Sequence, residues 1–433
     1  MNAPRTLAAF INTRRIGELR DENGIWALAY DPAWVKDPEG FGLSPALSRQ
    51  QGSIVDQSST RPVQWYFDNL LPEEGARVLL ARDVRIDVED AFGLLSAYGA
   101  ESAGSLTLTS GDLDDRSGTR PLPEDDLQAR IERLPNVPLT QGSAKRMSLA
   151  GVQHKLAVVV SGNDILEPIG RTPSTHILKP NHSDSDYPHS VINEYLVMKL
   201  ARALRLDVPD VIRKYVPAPI YLVKRFDRRS KNGTVERLHL IDACQALNLD
   251  RQFKYRAGSI DRLKDLSERC SAPAAARLKL FGWLVFNLLI GNSDAHLKNI
   301  SFLVDSHGTR VAPFYDLLAV GVYGAPAFGK QEWPHVPLAF PLLGRARFSD
   351  INRQAVLEAG EALGIRKDTA HRLIEEQVRR IQPEADELMQ SIEAENKQLT
   401  RVRPELAATF AGESRCLRAI VSIVIRDMVN TMH

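Results

Sequence analysis

The run Leu280 to Ile290, LFGWLVFNLLI, is the most apolar stretch of the chain, and it ends directly against Gly291 to Asn299, GNSDAHLKN. Its eleven residues are about half of the ~20 that a membrane-spanning helix needs, so the run is expected as a helix buried inside a domain. An Asp, a His, a Lys and an Asn then follow within six positions, Asp294 to Asn299. The simplest reading is a helix C-terminus, because Gly291, Asn292, Ser293 and Asp294 all favour turns. A rigid buried mount is also what a precisely held polar loop requires.

The rest of the chain bounds the alternatives. A length of 433 residues exceeds what one core usually supports, so at least two domains are expected. With 55 basic against 54 acidic side chains, the net charge of +1 argues against adhesion to nucleic acid over the whole surface. Cys244, Cys270 and Cys416 are scattered and form no C-x-x-C pair, which fits a reducing, cytoplasmic compartment and excludes a thiolate zinc site. The short run Leu7 to Ile11 is too brief for a signal-peptide core.

Patterning suggests four segments. Residues 1–110 alternate strand-like runs (LAAFIN, IWALAY, SLTLT) with helical stretches, one of them at Tyr66 to Leu80 around a Pro, and read as an N-terminal α+β subdomain. Residues 111–146 are rich in Pro, Gly, Ser and acid and read as a linker with one short helix begun by Pro123. Residues 147–228 carry the apolar runs KLAVVVSG, THILKP and APIYLVKRFDR and read as a strand-rich lobe, with a helix at Ser190 to Leu204. Residues 229–433 read as a mostly helical lobe, with Ile374, Val378, Ile381 and Ala385 at helical spacing and the last helix, CLRAIVSIVIRDMV, docked on the core.

Phosphoryl transfer from a nucleotide needs separable parts: a cation for phosphates, oxygen ligands for Mg²⁺, and a base for the acceptor hydroxyl. Asp294 and Asn299 have the D-x-x-x-x-N spacing in which the Asp orients the acceptor and the Asn amide ligates metal. Asp316, in PFYDLLA, is a second carboxylate and reads either as a Mg²⁺ ligand or as the N-cap of a helix. Lys179 ends the strand run THILK, and Glu194 on the following helix is placed to pair with it. Singly, each is as well read as a solvated or capping residue; their order along the chain is what joins them. Ser148 to Lys155, SLAGVQHK, could bring backbone N–H groups to a phosphate, or be a plain turn into a strand. His176, His182 and His189 are spaced too irregularly for a metal site and read as surface or loop histidines.

Taken in order, SLAGVQHK, THILK, NEY, VKRFDR, GNSDAHLKN and PFYD resemble the HipA family of bacterial serine/threonine kinase toxins, and YFDNLLPEE and LLSAYGAESAGSLTL resemble that family's N-terminal subdomain. The resemblance implies an α+β, two-lobed protein-kinase-like fold of the phosphatidylinositol-kinase-related kind that takes ATP and Mg²⁺. Carried over position by position, it makes Asp294 the catalytic base and Asn299 and Asp316 the Mg²⁺ ligands. Lys179, paired with Glu194, would bind the α and β phosphates, and the backbone of Lys224, Arg225 and Phe226 would hold the adenine edge. His296, Lys298 and Tyr315 would complete the nucleotide site, Lys298 facing either the phosphate or solvent. Ser148 matches the serine such kinases phosphorylate on themselves, displacing the phosphate-binding loop Ala150, Gly151, Val152, Gln153, His154 and Lys155. Lys224 departs from the more usual acid at the hinge.

The resemblance also implies a toxin–antitoxin pair with a small DNA-binding, HipB-like antitoxin, and operator DNA contacted through that complex. The implied substrate is an aminoacyl-tRNA synthetase, possibly the glutamyl enzyme, whose modification arrests growth and produces persistence. A kinase-shaped corepressor and a small-molecule or lipid kinase are the competing readings. The D-x-H-x-x-N form of Asp294, His296 and Asn299 suggests the last of these, without a basic amphipathic helix to support it.

Overall fold

The computed structural model describes residues 4–231 and 233–433. The chain forms two compact units and passes between them repeatedly: one unit takes in the residues up to Pro180, Leu222–Phe253 and Ser301–Ala312, the other Asn181–Tyr221, Lys254–Ile300 and Pro313–His433.

The first unit is strand-rich. An antiparallel sheet runs in the order Ser53–Val55, Ile25–Tyr30, Arg14–Glu22, Arg5–Ile11 and Leu106–Thr109. Its strands bury alternate residues, as Leu7, Ala9 and Ile11 do, because successive side chains point to opposite faces. The apolar stretch around Pro72 becomes two helices, Pro62–Asp68 and Glu74–Val84, since a Pro removes a helix donor and clashes with the preceding turn. A second sheet places Ser117–Pro121, Asp164–Gly170, Leu156–Ser161 and His176–Pro180 side by side. The helix begun by Pro123 is Glu124–Glu132. The stretch expected as linker thus also supplies an edge strand, paired through backbone from Ser117↔Gly170 to Pro121↔Leu166.

The second unit is helical. Pro273–Leu289 is its central helix, buried at Leu280, Phe281, Trp283, Val285, Phe286 and Leu289. Lys367–Val402 lays Ile374, Val378, Ile381 and Ala385 into the core on one face, as their spacing required. The last helix is docked as expected, with Ile420, Val421, Val424 and Ile425 at 0% exposure in a π-helical turn, Ile420–Ile425. Among the described residues no helix is long and apolar enough to cross a membrane.

Candidate functional site

The apolar helix stops in a Schellman motif. Gly291 adopts φ +64°, its N–H donates to Leu288 O at 3.2 Å, and the Asn292 N–H donates to Asn287 O at 2.9 Å. The Asn292 side chain adds a second bond, its Nδ2 donating to Asn287 Oδ1 at 2.7 Å. The reading of Gly291 to Asp294 as a helix terminus is therefore correct, and the same terminus aims the polar loop. A Cβ on Gly291 would lie 2.5 Å from Val424 and 2.9 Å from the Trp333 ring. Gly291→Ala combines left-handed strain of about 1–2 kcal/mol with overpacking of about 1–3 kcal/mol. A calorimetric melt should show a loss of at least ~2 kcal/mol, with lowered activity because the loop moves with its mount.

From Asn292 the loop is held by its own polar atoms. The Asp294 N–H donates to Asn292 Oδ1 at 3.1 Å, and the Asp294 carbonyl accepts from the His296 N–H and from Asn299 Nδ2, both at 2.8 Å. Asn299 thus spends its amide nitrogen on that carbonyl. Asp294 is half-buried, and the hydroxyl of Tyr255 donates to its Oδ1. His296 and Lys298 are buried, at 8% and 5% exposure.

Asp316 does not cap a helix. It has φ +51° within an irregular stretch, and the next helical turn begins only at Val320. A left-handed non-glycine residue is a strained position of the kind that clusters at functional sites. Two contacts hold it there. The Tyr315 hydroxyl donates to Lys298 O at 2.9 Å, tying Asp316 to the neighbour of Asn299. Asn193 clamps the other side, its Oδ1 accepting from the Ala319 N–H at 2.8 Å and its Nδ2 donating to Ala319 O at 3.2 Å. Glu194, the next residue on that helix, is buried at 2% exposure. Burial, then the carboxylates of Glu194 and Asp316, push the Tyr221 phenol well above its usual range.

Asp294, Asn299, Tyr315 and Asp316 all lie in the helical unit, and carboxylate and amide oxygens are the donors that a hard cation such as Mg²⁺ takes. Among the described residues no three His, Cys, Asp or Glu side chains form a metal cluster of their own. His176, His182 and His189 are half-buried and belong to no such cluster, but His182 and Tyr187 lie within electrostatic reach of Asp294.

The strand-rich unit holds the other predicted residues. Lys179 is buried at 4% exposure near the end of His176–Pro180. The loop Ala150 to Lys155 is half-buried; Gly151 has φ +108°, Lys155 Nζ donates to Ala150 O at 2.6 Å, and Gln153 Nε2 donates to Pro180 O at 3.0 Å. Ser148 is fully buried, its N–H donating to Glu101 O and its hydroxyl to Leu70 O, each at 2.7 Å.

At the expected hinge, Lys224 is exposed and Phe226 half-buried, and the Arg225 N–H donates to Thr175 O at 2.9 Å. The Arg225 side chain leads into a network that sequence reasoning missed. It contacts Glu101 at 3.1 Å and Asp227 at 2.6 Å, and Lys145, Arg228 and Arg237 reach Glu101 at 2.7, 2.7 and 2.9 Å. Burial would raise the Glu101 carboxyl, but Lys145, Arg237, Arg228 and Arg225 outweigh it and hold the group well below the usual carboxylate range.

Comparison with known proteins identifies the family of the chain. Residues 147–385 match the family model of the HipA-like C-terminal domain, and residues 7–109 that of the HipA N-terminal domain. The chain is 36% identical over 335 residues to the putative kinase Y4mE of Sinorhizobium fredii, covering 74% of this chain and 78% of that one. It is 33% identical over 339 residues to the serine/threonine-protein kinase toxin HipA of Shewanella oneidensis, covering 73% and 76%. Its fold superposes with TM-score 0.76, at 26% identity, on a chain of the solved Shewanella oneidensis complex of HipA, HipB and operator DNA, over 99% of this chain and 100% of that chain. Two family domains, the matched α+β fold and the polar loop set on a buried helix lead to one assignment: the chain belongs to the HipA family of serine/threonine kinases.

Proposed function

We propose that this chain is the kinase toxin of a toxin–antitoxin pair, transferring the γ-phosphoryl group of ATP to a translation enzyme and to its own Ser148. The observation that carries the reading is the self-fastened loop around Asp294, whose carbonyl accepts from the Asn299 amide nitrogen, together with the left-handed Asp316 that follows Tyr315, itself bonded to Lys298 O. Mg²⁺–ATP, when bound, supplies the transferable phosphoryl group and neutralises charge that develops on it. Asp294 accepts the proton of the serine or threonine hydroxyl and orients its oxygen. Asn299 and Asp316 offer the oxygens for the cation. Lys179 offers its ammonium to the α and β phosphates. His296, Lys298 and Tyr315 complete the nucleotide site. The backbone of Lys224 to Phe226 meets the adenine edge; Arg225 does so without its N–H, which Thr175 already accepts.

Ser148 becomes a substrate only when it leaves its seat on the Leu70 and Glu101 carbonyls. Once phosphorylated it carries about −1.5 to −2 charge and cannot return to a pocket that turns a carbonyl toward its oxygen. The neighbouring loop Ala150 to Lys155 is then held away from the nucleotide phosphates, which silences the enzyme.

For the external substrate we propose an aminoacyl-tRNA synthetase, possibly the glutamyl enzyme, with growth arrest and persistence as the result. For the partner we propose a HipB-like antitoxin and, through it, operator DNA; support comes from the solved Shewanella assembly, which holds HipA with HipB and operator DNA. That assembly also favours a second reading, a corepressor acting mainly within the antitoxin–DNA complex. Purified protein incubated with γ-labelled ATP, Mg²⁺ and glutamyl-tRNA synthetase should label the synthetase and Ser148. Absence of label from Ser148 and from every synthetase tried would overturn the protein-kinase reading.

A further inference from the structure

We propose that Tyr255 is a positioning residue for the base of phosphoryl transfer; the inference rests on the reading of Asp294 as that base. The Tyr255 hydroxyl donates to Asp294 Oδ1. Tyr255 is 43% exposed, so burial alone gives its ring little reason to sit against this loop. Three contacts hold it there. The Leu297 N–H donates to Lys254 O at 3.1 Å, fastening the tyrosine's backbone neighbour to the loop itself. The ring meets His296 edge-on, with centroids 4.9 Å apart and planes at 79°, and Lys254 Nζ lies 5.1 Å from the ring centre on the Tyr255 side chain.

A carboxylate can rotate about its last side-chain bond, and a base that rotates spends part of its time pointing away from its acceptor. The Asp294 backbone is fixed by Asn292, His296 and Asn299, but none of those bonds restrains the carboxylate. Tyr255 does, by pinning Oδ1 and leaving Oδ2 to receive the proton of the acceptor hydroxyl. A competing geometry exists, since a hydroxyl that donates to the base also stands where an acceptor hydroxyl would stand. Tyr255 would then be an occluding group or itself a phosphoryl acceptor. The backbone tether through Lys254 and the packing on His296 favour a fixed positioning part over a group that must swing aside.

Tyr255→Phe keeps the ring contacts and removes only the donor. A hydrogen bond to a charged group implies a fall in kcat of about ten- to a hundred-fold, with the KM for ATP, ADP affinity and melting temperature unchanged. In single turnovers, Tyr255→Phe combined with Asp294→Asn should be no slower than Asp294→Asn alone, because the effect acts through that carboxylate. Unchanged kcat in Tyr255→Phe, a raised kcat/KM, or phosphotyrosine at position 255 of the wild type would each overturn the proposal. Failure of the underlying reading is separately visible: Asp294→Asn would then stay active, whereas an inactive Asp294→Asn beside a fully active Tyr255→Phe defeats only the role of the tyrosine.

Discussion

Glu101→Gln should be the most destabilising single-atom change in the strand-rich unit, lowering its unfolding free energy by about 3–5 kcal/mol. The carboxylate has 0% side-chain exposure and faces Lys145, Arg225, Arg228 and Arg237, whose own exposures are between 1% and 6%. An amide of the same shape keeps the packing but leaves four buried cations with only Asp227 to balance them. Against a total stability of about 5–15 kcal/mol, such a loss is large. The exposed pair Arg15–Glu18, at 51% and 46%, provides the contrast: Glu18→Gln should change stability by about 1 kcal/mol or less. The pH dependence follows from the lowered carboxyl. The contribution of Glu101 is fully present above the ordinary carboxylate range and is lost as pH falls through its depressed folded value. Urea titrations at a series of pH values should therefore show the gap between wild type and Glu101→Gln constant near neutrality and closing in strong acid. A gap that widens on acidification would contradict the charge account.

Asp294→Asn should slow phosphoryl transfer by orders of magnitude while leaving the fold in place. The side chain keeps its size, the loop keeps its Schellman terminus, and the bonds to Asn292, His296 and Asn299 use backbone atoms of residue 294 that the substitution does not touch. A positioned general base contributes about 10²–10⁴-fold, so a loss of that size is expected in kcat. ADP binding, measured by calorimetry, should be nearly unchanged. Loss of nucleotide binding together with activity would move Asp294 from the base to a structural or metal-holding role.

The sequence was most legible where long periodic segments decide their own structure. The helix Lys367–Val402 and the mount Pro273–Leu289 follow from apolar spacing and length, and the terminus at Gly291 from turn chemistry. What escaped had no local pattern to reveal it. The strand Ser117–Pro121 is exposed at every residue and exists through backbone pairing alone, so its Ser, Gly and Arg read as linker. The Glu101 network gathers residues between positions 101 and 237, each of which looks in isolation like a solvated charge. Tyr255 lies 39 positions before Asp294, in a stretch whose own composition is that of a surface turn. Asp316 is open to two readings in the sequence because a cap and a metal ligand favour the same residue type; the irregular backbone after it, with the next helical turn only at Val320, removes the cap. The repeated passage of the chain between the two units was equally hidden, because its crossings fall inside or beside strands and loops of ordinary composition.

The central claim is that this chain transfers phosphate with Asp294 as the base. Its most direct test is the intact mass of the purified protein, treated with phosphatase and then incubated with ATP and Mg²⁺, wild type beside Asp294→Asn. The wild type should gain the mass of one phosphate, located on Ser148 by peptide mapping, and Asp294→Asn should gain none. An unmodified wild type, or equal modification of both proteins, would contradict the account.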